Sequence, residues 1–343
     1  MLHIQKDVSL KSYTTFGVEV KAAYLVEITN EQDILDLIST EIFTTHPHLI
    51  LWWGANILFT KDYPGLIIKI SLKGKTILRE QGFSVIVNVW AGENRHETMM
   101  RSIEKKFAGG ENMVLIPWLV WSAPVGNIGA YGKEAKDIIE EVEGIDLSTG
   151  EKKIRTNKQC EFAYRDSIFK HALKDKIIIT SVSFLFKKYS QTYIPTIDYK
   201  DIQDRIAVLG RRPELLSPKD IAEIIISIRE SKLPDWTKIG TAGSFFKNPV
   251  VSKAQFDPIV STYPQVKGNE VPEGIKLSAG QLIELAGYKG KSEWPVATYE
   301  QHALVIINTW GATGAQVWAF AQAIQKKVNE MFGVVLEAEV IIL

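Results

Sequence analysis

The sequence predicts a mixed α+β protein with more than one domain, and three observations carry that reading. Its 343 residues exceed one ordinary core, since a domain takes roughly 100 to 200 residues. Apolar runs with strand character dominate the first half, with helical patterns between them but no strict strand–helix repeat. Near residue 200 the pattern changes to a long amphipathic helix.

Each element follows from its own residues. "HLILWW", "GLIIKISL", "SVIVNVWA", "EVEGIDL" and "IIITSVSFLF" are β-branched or aromatic runs that read as strands. In "SVIVNV", Val85, Val87 and Val89 face one way and Asn88 the other. "DLSTGEKK" reads as a hairpin turn, and "NEQDILDLIST" and "ENRHETMMRSIEKK" as helices. In "SPKDIAEIIISIRESKLPD", Ser217 is the N-cap, Pro218 opens the helix, Ile221, Ile224, Ile225 and Ile228 share a face, and Pro234 ends it. That helix is the predicted domain junction. Thr313 and Gln316 form a capping box for a helix carrying Val317, Ala321, Ile324 and Val328, and Gly333 stops it. The final "VVLEAEVIIL" reads as a strand with Glu337 and Glu339 on one face, which requires that face to be wet or functional.

Composition narrows the function. Lys+Arg 40 against Asp+Glu 40 leaves no net charge, so no long-range field gathers nucleic acid or an anionic membrane. An acidic ligand must therefore be held by local groups. One cysteine, Cys160, rules out an internal disulfide, and the six histidines show no ligand spacing, so no bound metal is expected. No signal peptide or spanning segment is legible, and a cytoplasmic, monomeric protein is expected. P-loop, G-x-S-x-G, G-x-G-x-x-G and H-E-x-x-H signatures are all missing.

What remains are local polar clusters, each with two readings. "FAYRDSIFK" is a surface turn with Arg165 paired to Asp166, or a guanidinium poised for a carboxylate or phosphate. "NIGAYG" is a tight turn, or a loop whose small residues let backbone amides reach a cofactor. The two late glutamates, Tyr199 and Lys232 are ordinary surface groups or ligand contacts. "GTAGSFFKNP" is a glycine-hinged loop docked by two phenylalanines, or a site where Ser244, shielded from water and near a cation, delivers a proton to a developing carbanion.

Taken together, "YTTFGV", "NIGAYG", "FAYRDSIFK", "SKLPD", "AGSFFKNP", "KLSAGQLIE" with "GYKG", "ALVIIN" and "LEAEV" occur in the order of one family. From about Tyr13 to Val340 the chain resembles the UDP-N-acetylenolpyruvoylglucosamine reductases (MurB), in their longer type I form. The resemblance implies an FAD-binding fold of the vanillyl-alcohol-oxidase/PCMH type in two subdomains, residues 1–71, completed by a strand at 335–343, and 72–230. A C-terminal α+β substrate-binding domain follows at 231–334. It implies reduction of a nucleotide-sugar enol ether, UDP-N-acetylglucosamine enolpyruvate, to UDP-N-acetylmuramate, with NADPH as hydride donor and FAD as carrier. By motif match, Ser244 is the proton donor, and Arg165 and Glu339 polarise the substrate carboxylate. Gly54, Ala55, Asn56, Pro117, Ser122, Asn127, Ile128, Gly129 and Tyr131 match the cofactor-binding positions. Tyr199, Lys232 and Asn248 match the nucleotide-sugar contacts, Arg229 and Lys247 are further candidates, and His302 stands at a contact position where the type I pattern usually has glutamine.

The chain departs from the family in its flavin loops. The usual G-x-G-S-N is "WWGAN", and the usual I-P-G-x-V-G-x-x-P is "IPWLVWSAP", placing Trp118 and Trp121 at glycine positions. With Trp52, Trp53 and Trp310, five of the nine tryptophans stand at or beside such turns. Two readings follow: loops rearranged around a bound FAD, or a divergent homologue whose indoles fill the cofactor cavity. An indole forced into a left-handed conformation would cost about 1 to 3 kcal/mol.

Overall fold

The computed structural model describes every residue except Met1, Trp52, Trp53, Ala55, Pro117, Trp118, Gln191 and Trp310. The sequence expectations for the tryptophans at 52, 53, 118 and 310, and for Ala55 and Pro117 as cofactor contacts, lie outside the described residues. The chain forms two compact units, one of residues 1–6, 24–52 and 64–229, the other of 7–23, 53–63 and 230–343. Their boundary falls inside the helix Pro218–Lys232.

The first unit centres on an antiparallel path, Lys152–Thr156, Ile139–Asp146, Ile177–Lys188, Ser84–Trp90 and Lys75–Gln81. Ile177–Lys188 is the middle strand, paired on both sides, and its first eight residues are buried. Val85 and Val89 point into the core, while Asn88 donates from the other face to Ser181 Oγ at 2.9 Å and Ser183 Oγ at 3.1 Å. The expected hairpin closes over Gly150, whose N–H donates to Asp146 O. Both expected helices form, as Glu31–Ile38 capped by Asn30 and Arg95–Glu104 capped by Asn94. Ser217 Oγ accepts from Asp220 N, and Ile221, Ile224, Ile225 and Ile228 are buried on the Pro218–Lys232 helix, as its pattern requires.

The second unit holds the sheet Gly240–Ser244, His302–Asn308, Val296–Tyr299 and Ser292–Glu293. The helix Gly314–Phe332 has the expected Thr313/Gln316 capping box, and Gly333 ends it at φ 66°. Val317, Ala321, Ile324 and Val328 are fully buried along it.

The C-terminal segment is a correction. Only Ile341–Ile342 is a regular strand, parallel to Ile57–Leu58. Before it the chain changes partners too quickly to build a ladder: Lys247 N donates to Glu337 O and Glu339 N to Phe245 O, and then Ile341 N donates to Asn56 O. A strand needs one neighbour over several residues. Alternation alone does not reveal such a switch.

Candidate catalytic and substrate-binding site

In the second unit, the strand Gly240–Ser244 is irregular where chemistry was expected. Its register against His302–Asn308 shifts between Thr241 and Ser244, and Gly243 lies at φ 74°. Thr241 Oγ1 donates to Ile306 O at 2.9 Å and accepts from Gly243 N at 3.1 Å, which pins the irregularity. Such a bulge re-aims the next side chain. That side chain is the half-buried Ser244, whose hydroxyl has no hydrogen-bond partner among the described residues. Phe245 and Phe246, at 0 % and 1 % exposure, are core anchors; Phe245 meets Phe16 edge-on at 6.2 Å and stacks on Trp318 at 6.4 Å. The loop's aromatics therefore fix the backbone on which the serine sits.

Glu339 joins Ser244 here. Its N–H donates to Phe245 O at 2.8 Å, one residue from the serine, and its carbonyl accepts from Asn56 Nδ2 at 3.0 Å. Glu337 is mostly exposed and pairs with Lys247, whereas Glu339 is half-buried. Two glutamates that the sequence treats alike thus have different surroundings. Asn248 Oδ1 accepts from Ala279 N at 3.0 Å, so its oxygen secures the start of the helix Ala279–Leu285 while its amide N–H groups are left to reach a ligand. His302 Nδ1 accepts from Leu304 N at 3.3 Å.

The first unit gathers a cationic set. Arg165 lies at φ 55°, donates from Nη2 to Gly129 O at 2.7 Å, and has Glu134 Oε1 3.9 Å from Nη1. Asp166 instead pairs with His171 Nε2 at 2.7 Å, which overturns the Arg165–Asp166 reading. A two-residue reversal, with Ala163 and Asp166 bonded to each other, turns the neighbouring side chains apart. Tyr131 meets Tyr199 edge-on at 5.5 Å and lies within reach of the Arg229 charge. Burial raises the Tyr131 phenol above its ordinary range, and burial lowers the Arg229 guanidinium.

Sequence reasoning missed Arg95. It is 1 % exposed, and burial first, then the charges of Arg229 and Arg165, push it down to about 9. A basic residue opening an otherwise amphipathic helix was the available signal, but only the tertiary structure shows three guanidiniums influencing one another. Two further groups were missed. Leu115, at φ 54°, donates its N–H to His96 Nδ1 at 2.9 Å and accepts from Arg229 Nε at 3.2 Å. Burial holds His96 below its usual range.

The described part of the second flavin loop offers few uncommitted main-chain donors to a dinucleotide diphosphate. Such a group is held by uncommitted main-chain N–H donors. Here the N–H groups of Val120, Trp121, Ser122, Ala123, Gly126, Asn127 and Ile128 all donate to carbonyls of the same unit. Ser122 Oγ donates to Leu119 O at 2.7 Å. Asn127 Nδ2 donates to Glu134 Oε2 and Ala163 O, and its Oδ1 accepts from Lys136 N. Gly129 is required because a Cβ there would lie 2.4 Å from Lys133 O, an internal constraint. Trp121 stands at φ −61°, ψ −23°, an ordinary right-handed conformation, so the expected left-handed strain is not incurred there. Its indole is 3 % exposed and belongs to the core. In the second unit, Gly54 at φ 56° is required by Tyr13 O, which a Cβ would approach to 2.2 Å.

Comparison with known proteins bears on this arrangement. Residues 235–343 match the family described as UDP-N-acetylenolpyruvoylglucosamine reductase, C-terminal domain. A protein of that name from Chromobacterium violaceum is 39% identical over 345 residues, covering 100% of this chain and 99% of the relative. The chain belongs to this family. Another UDP-N-acetylenolpyruvoylglucosamine reductase, from Flavobacterium johnsoniae, is 40% identical over 340 residues, covering 99% of each. The MurB crystal structure from Thermus caldophilus superposes with a TM-score of 0.67 at 20% identity, covering 100% of this chain and 99% of that one, and shows the same fold. The protein is thus a MurB-family oxidoreductase with the mixed α+β fold of that family. Among the described residues, no helix is long and apolar enough to cross a membrane.

Proposed function

We propose that this chain reduces the enolpyruvyl ether of UDP-N-acetylglucosamine to UDP-N-acetylmuramate, with NADPH as hydride donor and FAD as carrier. The observation that carries the reading is the bulged strand that presents Ser244, its hydroxyl unpartnered among the described residues, one residue from the bond to Glu339. Full-length similarity to reductases of that name supports the substrate. In this reading Ser244 gives its proton to the carbon next to the substrate carboxylate, as charge develops there. Glu339 and Arg165 stabilise that carboxylate, and Arg229, Tyr199, Lys232, Asn248 and His302 hold the nucleotide sugar. A buried guanidinium, Arg95, that feels the charges of Arg229 and Arg165 suits an anionic ligand, because the anion relieves their repulsion. The expected three-domain division, cytoplasmic location and monomeric state belong to the same proposal.

A second reading, favoured by the internally bonded N–H groups of residues 120–128, is a family member that binds the sugar but holds FAD weakly. One experiment on the purified full chain separates them. Titration with FAD should give flavin absorbance that bleaches under NADPH and recovers when the enolpyruvyl sugar is added. Ser244→Ala should leave the bleaching intact and abolish the recovery. Equal loss of both half-reactions would refute the proton-donor role, and failure to retain FAD would establish the second reading.

A further inference from the structure

We infer that Asn56 is a positioning residue for Glu339; this rests on the proposed role of Glu339 in the reductase reaction. The family pattern puts Asn56 among the cofactor contacts, but its side chain has another task. Asn56 Nδ2 donates to the Glu339 carbonyl at 3.0 Å, and the Asn56 carbonyl accepts from Ile341 N at 2.9 Å. A single residue therefore bonds the C-terminal segment on both sides of Val340. On the other flank, Glu339 N donates to Phe245 O at 2.8 Å. The backbone of Glu339 is thus held at its N–H by the residue following Ser244 and at its C=O by Asn56.

The bond has weight because this segment is joined by single bonds in place of a ladder, Lys247 N to Glu337 O and Gln325 Nε2 to Leu336 O before it and the Phe245 and Asn56 bonds at Glu339 itself. Residues 334–340 form no regular strand, and Phe246 with Ala338 is the only bridge described there. Without a ladder, the Glu339 backbone depends on individual bonds. Phe245 is immobile, being fully buried between Phe16, Phe246 and Trp318, so its bond is a fixed reference. Asn56 supplies the second fixed point. Bonds at its N–H and at its C=O fix the Glu339 backbone from which the carboxylate departs, and a misplacement of about 1 Å in such a pair costs on the order of 100-fold in rate.

The test uses the full-length protein and two variants. Asn56→Ala removes the donor. Asn56→Asp keeps the shape but turns a donor into an acceptor that repels the Glu339 carbonyl, until protonation near its ordinary value of about 4 restores an O–H donor. Amide hydrogen exchange followed by mass spectrometry should show the peptide containing Glu339 to Ile341 exchanging at least about tenfold faster in both variants, with the helix Gly314–Phe332 unchanged. In Asn56→Asp alone, protection should return on acidification to about pH 4. In turnover, kcat for the enolpyruvyl sugar should fall about 10- to 100-fold with KM little changed and flavin reduction by NADPH preserved. Unchanged exchange in Asn56→Ala would overturn the inference. So would loss of flavin retention with exchange unaltered, which would return Asn56 to the cofactor. If the unaltered protein fails to turn over the sugar, the reductase reading falls, while the exchange result still decides whether Asn56 anchors Glu339.

Discussion

Trp121 shows how a single side chain can look wrong in sequence and fit in structure. In the family pattern it replaces a glycine, and a glycine is usually there for positive φ or close approach. Here the backbone is right-handed and the indole fills the core of the first unit. Restoring glycine would therefore remove a buried aromatic and loosen the turn before Ser122–Val125. Trp121→Gly should destabilise the protein by about 3 to 5 kcal/mol, measured by urea denaturation, and the change by itself should not create flavin uptake. His96 illustrates the opposite case, an inconspicuous residue with a defined task. Its Nδ1 must be unprotonated to accept from Leu115, which agrees with the direction in which burial moves it.

The strand Gly240–Ser244 is the element on which the proposed chemistry turns. A regular strand would alternate its side chains without interruption, whereas the register shift and the φ of 74° at Gly243 reset the direction of Ser244. No atom stands within 4 Å of a Cβ placed on Gly243, so the cost of a larger residue there is conformational. Gly243→Ala should destabilise by roughly 1 to 2 kcal/mol. It should also lower turnover by more than that stability loss explains, since a relaxed bulge misdirects the hydroxyl. Activity measured at a temperature where the variant is fully folded by circular dichroism checks this.

At the scale of the whole molecule, charge is balanced, and what cationic groups the first unit offers a ligand are local. Net charge is zero at neutral pH, so long-range steering of an anionic ligand is weak. The guanidinium of Arg95 is buried and that of Arg229 half-buried, so both are less screened by salt than exposed charges. Affinity for the nucleotide sugar should then change less than about tenfold between about 50 and 500 mM salt, measured by titration calorimetry. A steeper dependence would mean that exposed lysines hold the ligand.

The sequence by itself determined the class, the main helices with their caps, the strands of the central sheet and the family. These rest on local periodicity, on capping chemistry, and on motifs whose residues are neighbours in the chain. Ser217, Thr313 and Gly333 act within a few residues of themselves, so their roles were legible. The tertiary structure decided the partners of the polar groups. That Asp166 turns to His171, that Asn56 reaches Glu339 across 283 positions, and that Arg95 sits within reach of the fields of Arg165 and Arg229 are long-range facts. Hydrogen-bond partners and desolvation depend on what the fold brings alongside, and a linear pattern carries no record of that.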